Sequence, residues 1–534
     1  MKLVKKESLL FYLIIAAYLI YSVLFIYRSS FVVSGERYFV LFDDAMISMR
    51  YAKNFASGEG LVWNPGGEKI EGYSNPLWVV FMAGFHLLPI PSSKISLFVQ
   101  ISGAIFLTAN LFVVRKIGSL LSKDWLVPIF AVLLTAFYAP LNNWGLLGME
   151  VSALAFITSL SVWMVLKFLK EGDFSPWLFV LLGLATLIRI DMVVPYILIL
   201  CFLLVTLPSR RPQILIWGIA LLGLFLSSQT LFRLLYYGNP LPNTYYLKVE
   251  GYSLLSRVGH GLYVLFLFGW NFNWILFLLP LVILFFRQDA EAILLLLLIL
   301  GQFVYSVYVG GDAWEHKGGS NRYISIVMPL FFILFANVLV LIRDLAAGGV
   351  GKRKGRYQFV PNLIMVLFIL VTMVNTNILV DFKSLDRWIL SMNPEFVRGN
   401  QRYVRIALDL KEITGPQAKV AVVSAGAIPY FSDRYAIDLL GKNDPVVANL
   451  LPRNTSAITN LDLYRPGHMK WDYDYSVGKL DPDIIVQVWG PKEEIRPYLM
   501  TEYITGRVLN SNGIYYYIRK DSSNILWENV EIKP

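Results

Sequence analysis

The chain has 534 residues, of which 56% are hydrophobic and only 16% charged, with a formal net charge of +10. Charge this far below the roughly 25% of an ordinary soluble domain excludes a water-soluble enzyme and implies an integral membrane protein. The basic residues are scattered between apolar runs rather than gathered on one soluble face, which argues against a nucleic-acid partner.

The N-terminal run MKLVKKESLLFYLIIAAYLIYSVLFIYR is longer than the core of a signal peptide and lacks a clear small-residue cleavage site, so it reads as a retained anchor. In chain order, hydropathy predicts about eleven spans: Leu9 to Tyr27, Ile95 to Val114, Trp125 to Pro140, Val151 to Leu169, Trp177 to Ile188, Met192 to Leu207, Ile214 to Phe232, Gly261 to Phe286, Ala290 to Val309, Ile324 to Ile342 and Phe359 to Val374. The shorter run Pro76 to Ile90, bracketed by prolines, fits a helix at the interface. With Lys2, Lys5 and Lys6 on the cytoplasmic side, the alternate loops there carry Arg115, Lys116 and Lys123, then Lys167 and Lys170, Arg210 and Arg211, Arg287, and finally Arg343, Lys352, Arg353, Lys354 and Arg356. That is the positive-inside pattern. An odd number of spans then leaves the C-terminal segment outside. Residues 1–380 are expected to form a multi-span domain whose first external loop is 28–94, and 381–534 a small extracytoplasmic α/β domain. Its strands are read from KVAVVSAGAIPYF, DIIVQVW and YYYIRK, and a helix from Tyr403 to Ile413.

The candidate chemistry lies in the outer loops. Asp43 and Asp44 open an amphipathic surface helix, DDAMISMRYAKNFASGEG, where the plain alternative role is helix capping. Glu68, Glu71, Tyr73 and Asn75 follow in a loop rich in Gly and Pro, and NNWGLLGME ends in Glu150. The turn IRID carries Arg189 and Asp191, charges expensive beside hydrocarbon and therefore expected to be functional. YYGNPLPNTYYLK supplies Asn243 and Lys248, while GGDAWEHKGGSNRY supplies Asp312, Glu315, His316, Lys317 and Arg322. Cys201 is the single cysteine, so no intrachain disulfide forms; the four histidines make no HExxH-like pair.

Nucleotides are cytoplasmic, and the chain has neither a GxxxxGK[ST] loop nor a GxGxxG after a strand. An activated substrate reaching outward-facing carboxylates would come through the bilayer, most naturally as a lipid phosphate. Glycosyl transfer from such a donor needs a carboxylate to take the acceptor's proton or to face positive charge at the anomeric carbon. It also needs cations where charge gathers on the departing phosphate. Asp43 or Asp44 suits the first part; Arg322, Lys248 or Arg189 suits the second.

Several blocks carry a family resemblance: FDDAMISMRYAKNFASGEGLVWNPGGEKIEGYSNPLW, GME at 148–150, IRID, YYGNPLPNTYYLK, GGD with NRY across 310–323, and AGAIPYFSDRYAIDLLGKNDPVVA at 425–448. With them the chain resembles the polytopic C-type (GT-C) glycosyltransferases that use polyprenyl-phosphate sugars. More narrowly, it looks like the branch containing the terminal β-arabinofuranosyltransferase of mycobacterial cell-wall arabinan. The resemblance implies that Asp43 and Asp44 are catalytic and that Arg189, Asp312 and Arg322 line the donor and acceptor cavity. It also implies an external domain that orients a glycan or glycolipid acceptor, with Tyr430 and Asp438 contributing. Two adjacent aspartates could hold Mg²⁺ or Mn²⁺, although many enzymes of this class work without a metal. The rival readings are a transporter or flippase, which tends to place ionisable groups near the bilayer midplane, and a non-catalytic envelope assembly factor. The threading is checked by labelling: Glu68→Cys in a Cys201→Ser background is expected to react with a membrane-impermeant maleimide added outside intact cells, and no reaction before lysis overturns it.

Overall fold

A computed structural model describes residues 2–286, 289–313, 315, 321–346, 359–378, 382–453, 464–511 and 513–533. Sequence expectations for Arg287, His316, Lys317, Lys352, Arg353, Lys354 and Arg356 lie outside the described residues.

Each of the eleven apolar runs is mostly helical where it is described. Among the described residues, six helices are long and apolar enough to cross a bilayer: Lys6–Ser29, Ser92–Leu121, Val151–Glu171, Pro208–Tyr237, Ala290–Val309 and Arg322–Leu345. Trp177–Ile188, Ile190–Thr206 and Pro361–Asn375 are shorter apolar helices, as is Pro76–His86, the expected interface segment. Two runs read as continuous spans are broken. Leu126–Ala136 and Ala139–Leu146 meet at 54°, and Leu254–Phe272 and Trp274–Phe286 at 107°. The second break has a local cause. Asn273 takes φ 74°, a left-handed conformation that Asn tolerates, and its side chain accepts a hydrogen bond from Ile275 N at 3.0 Å, capping the helix that follows. Hydropathy sums through such a residue and cannot register it.

The chain forms two compact units that follow no single cut in the sequence. One comprises Met1–Arg28, Gln100–Ser227 and Arg257–Glu395; the other comprises Ser29–Val99, Ser228–Ser256 and Phe396–Pro534. In the first, the helix Arg322–Ala346 is apolar almost throughout and nearly wholly buried, as a central helix of a bundle must be. Close crossing elsewhere in that unit depends on small residues: a Cβ on Gly103 would lie 2.3 Å from the carbonyl oxygen of Gly145.

The second unit joins the segment Ser29–Val99 to a six-stranded mixed sheet. Its strands are β3 (Lys419–Val422), β4 (Tyr435–Asp438), β5 (Ile484–Ile485), β6 (Tyr503–Val508), β7 (Tyr516–Arg519) and β8 (Val530–Ile532), in the order β4-β3-β5-β7-β6-β8. A separate hairpin near the start of that segment, β1 (Phe31–Val33) with β2 (Glu36–Tyr38), is antiparallel. β3 runs parallel to β4 and β5; the other pairs are antiparallel. The run KVAVVSAGAIPYF is a strand only to Val422 and becomes the helix Ala427–Ser432, while the predicted helix at Tyr403 begins at Val397. β4, β6 and β8 carried no sequence signal strong enough to be read.

The helix Asp43–Ala56 is not a surface helix. Nine of its residues, from Ala45 to Asn54, are buried, and Arg50 among them is enclosed. Its guanidinium donates to Trp63 O at 2.5 Å, Asn64 Oδ1 at 2.8 Å and Arg434 O at 2.9 Å, and to Pro429 O. This one side chain ties the acidic helix to its own loop and to the segment between the helix Ala427–Ser432 and β4. Arg50→Leu would remove four charge-assisted hydrogen bonds at one buried point, each worth about 1.5–3 kcal/mol. Thermal unfolding in detergent is expected to show a large loss of stability; an unchanged midpoint would contradict the clamp.

Candidate functional site

Asp43 and Asp44 occupy the first turn of their helix, but neither caps it. The cap position is Phe42, with no side-chain capping bond. Asp43 Oδ1 instead accepts from the backbone N–H of Ala427 at 2.9 Å, and Asp44 Oδ1 lies 3.1 Å from Lys442 Nζ. Ala427 follows β3 and Lys442 follows β4, so the dyad sits over the carboxyl ends of two parallel strands, where α/β sheets collect ligands. Gly426 is required for that approach. A Cβ there would lie 2.1 Å from Asp43 O and 2.7 Å from Asp43 Oδ1.

Burial, reinforced by the neighbouring Asp44, pushes the Asp43 carboxyl up to about 6, against the lowering effects of the Ala427 amide and Lys442. His468 stands near the same charges: burial pulls it down to about 4, Asp44 opposes the shift, and Lys248 and Lys442 assist it. The stem of Lys248 runs beside Gly467, whose added Cβ would lie 3.1 Å from Lys248 Cε. Two carboxylates, two ammonium groups and a neutral imidazole thus share one neighbourhood.

The other expected residues of this unit are engaged in building it. Glu71 is buried against Arg233, Oε2 to Nε 2.7 Å, and its carbonyl accepts from Asn243 N at 3.1 Å. The Tyr73 hydroxyl meets that of Tyr237 at 2.8 Å, and Asn75 Oδ1 accepts from Ser48 Oγ at 2.9 Å. Asn243 Nδ2 donates to the carbonyls of Gly441, Lys442 and Asp444, at 2.9, 3.0 and 3.3 Å, and so fixes the turn that carries Lys442. The two residues expected to meet an acceptor are enclosed. Tyr430 is buried with its hydroxyl 3.1 Å from His86 Nε2. Asp438 is buried and accepts from Leu440 N, Asn443 N and Asn443 Nδ2. In this conformation each is a scaffold residue.

In the other unit, charges meet as forks. Arg189 donates to both oxygens of Asp191, at 2.7 and 2.5 Å, and to Glu150 Oε1 at 3.3 Å, with its guanidinium 4.8 Å from the ring centre of Tyr323. Arg322 donates to both oxygens of Asp312, at 2.6 and 2.9 Å, and lies 5.8 Å from the ring centre of Trp144. All five charged groups are buried. Nearby, Glu315 Oε1 accepts from Asp312 N and Asn321 Nδ2. Sequence reading therefore found the members of both forks but missed Arg50, Arg233, Lys442, Gly426 and His468. Only Lys442 had a local signal, a GKND turn directly after an apolar run.

Asp43 faces an N–H and Asp44 an ammonium, donors that compete with Mg²⁺ or Mn²⁺ for the same oxygens. Among the described residues no group of three or more His, Cys, Asp or Glu side chains could hold a metal ion.

Residues 395–517 match a family described as a domain of unknown function, DUF8728. No curated protein matches the chain in sequence. In structure it is similar to ArnT from Cupriavidus metallidurans bound to undecaprenyl phosphate, with TM-score 0.56, 14% identity, and 96% of this chain and 98% of that one covered. It is likewise similar to the oligosaccharyltransferase AglB from Archaeoglobus fulgidus in complex with an inhibitory peptide and a dolichol-phosphate, with TM-score 0.54, 12% identity, and 98% and 75% covered. The chain thus has a GT-C-like fold: a polytopic α-helical membrane protein with a small C-terminal α/β region.

The raised Asp43 affinity has a definite sign. The folded state holds this proton more tightly than the unfolded chain, so the contribution to stability is present below about pH 4 and is lost as pH rises through about 6. Relative to Asp43→Asn, the wild-type unfolding midpoint is expected to fall by a few degrees between pH 4 and pH 7; parallel curves would refute the shift.

Proposed function

We propose that the chain is an integral membrane glycosyltransferase that takes a sugar from a polyprenyl-phosphate donor and passes it to an envelope glycan, glycolipid or protein. The observation that carries this reading is the Asp43 and Asp44 pair, set over the carboxyl ends of β3 and β4 with Lys442 against it and Lys248 in its neighbourhood. The likeness to two polyprenyl-phosphate-binding structures supports it. Carboxylates serve the acceptor hydroxyl and the developing oxocarbenium ion, and the lysines offset charge on the departing phosphate. The family resemblance makes arabinofuranose the favoured sugar. The basic residues of alternate loops support a cytoplasmic N-terminus and a dyad on the outer face of the plasma membrane.

No step of this reading passes through a metal ion, so treatment with EDTA is expected to leave the rate intact. Asp43→Asn and Asp44→Asn are each expected to lower transfer by about a hundredfold or more in protein that still folds. Mass spectrometry of envelope glycans from cells lacking the gene should then reveal one missing pentose or hexose, restored by the wild-type gene and not by either variant. Envelope glycans unchanged by deletion or by the variants would instead favour a transporter or an assembly factor.

A further inference from the structure

We infer that Lys442 is a positioning residue that divides the work of the dyad: it holds Asp44 aside as a carboxylate, leaving Asp43 to receive the acceptor's proton. This rests on the glycosyl-transfer reading above. Successive residues of a helix point about a quarter-turn apart, so Asp43 and Asp44 cannot close on one shared proton and each takes its own partner. For Asp43 that partner is the Ala427 amide, bound to Oδ1. For Asp44 it is an ammonium at 3.1 Å.

The ammonium is delivered by a turn with little freedom. Asn243 Nδ2 holds the carbonyls of Gly441, Lys442 and Asp444. Asp438 holds the amides of Leu440 and Asn443. Asn443 Oδ1 in turn accepts from Tyr51 OH at 3.1 Å, and Tyr51 lies on the helix that carries the dyad. Carboxylate and lysine are therefore referenced to the same helix. The other charged or titratable neighbours are Tyr403, which feels Asp43, together with His468 and Lys248 on the Asp44 side. Asp43, pushed up to about 6, has the proton affinity of a base working near neutrality.

In the step implied, the bond from the anomeric carbon to the phosphate oxygen breaks and its electron pair leaves with polyprenyl phosphate. The acceptor oxygen bonds to that carbon, and its proton passes to the Asp43 carboxylate. Asp44, kept ionised by Lys442, faces the positive charge that develops at the sugar.

Full-length wild type, Lys442→Met and Lys442→Arg decide the matter through two readouts. The first is pH-dependent turnover of polyprenyl-phosphate-linked arabinofuranose, mannose and aminoarabinose, with envelope glycan from cells lacking the gene as acceptor. The second is esterification of Asp43 and Asp44 by a diazo reagent that attacks only protonated carboxyls, read by peptide mass spectrometry. Lys442→Met is expected to slow turnover by about a hundredfold and to distort the acid limb of the profile, with Lys442→Arg recovering most of the rate. In the wild type, Asp44 should require more acid than Asp43 for esterification, and in Lys442→Met that difference should vanish. Wild-type turnover and profile in Lys442→Met, or equal esterification of the two aspartates in the wild type, overturns the inference. A wild type that uses none of the donors defeats the glycosyltransferase reading, while the esterification readout still decides the role of Lys442.

Discussion

The second unit depends on a buried cation met mostly by neutral oxygens. Among the described residues Arg50 makes no ion pair, although the charge of Asp433 reaches it; its guanidinium donates to carbonyl and amide oxygens of Trp63, Asn64, Pro429 and Arg434. Three of those acceptors are backbone carbonyls, so satisfying the guanidinium fixes the course of the chain around it. Taking any acceptor away leaves a buried donor unmet, which costs more than the bond itself contributes. The acidic helix is thereby held with its first turn over the loop after β3, within reach of the Ala427 amide. The placement of Asp43 and Asp44 is thus set by a residue two turns away on the same helix.

The two units treat buried charge in different ways. In the one with Arg189 and Arg322, each guanidinium is matched by carboxylates in two-pronged geometry, an arrangement that offsets desolvation while fixing direction. Such forks are rigid and electrostatically nearly closed. Around Asp43 and Asp44 the matching is looser. One acid leans on an amide, the other on a lysine that is itself partly exposed. That leaves Asp43 with a proton affinity near neutrality, the property a proton acceptor requires.

The sheet gives the site its place. β3, β4 and β5 run parallel, and the loops after them carry Ala427, Lys442 and Gln487. Gln487 Oε1 accepts from the amides of Val423 and Ser424, at 3.0 and 2.7 Å, closing the loop that presents Gly426 and Ala427. The loop leaving the carboxyl end of β3 leads into the start of the helix Ala427–Ser432, and a carboxylate introduced there from another element meets an outward N–H, as Asp43 meets that of Ala427.

The sequence by itself determined where the apolar runs lie, the acidic opening of the first loop and the presence of Glu150, Arg189, Asp191, Asp312 and Arg322 between the runs, because hydropathy and charge are local quantities that survive summation along a chain. It misjudged Asp43–Ala56 as a surface helix, since the helix is enclosed by Pro76–His86 and its own loop on one hand and by the segment around Pro429 and Arg434 on the other. It read Tyr430 and Asp438 as presented to a ligand, where the fold encloses both. Tertiary structure alone decided which carboxylate faces an amide and which faces Lys442, where Asn273 breaks a span, and why Gly426 carries no side chain. Each of these turns on a distance of a few ångströms between groups far apart in sequence, and composition and spacing hold no record of such distances.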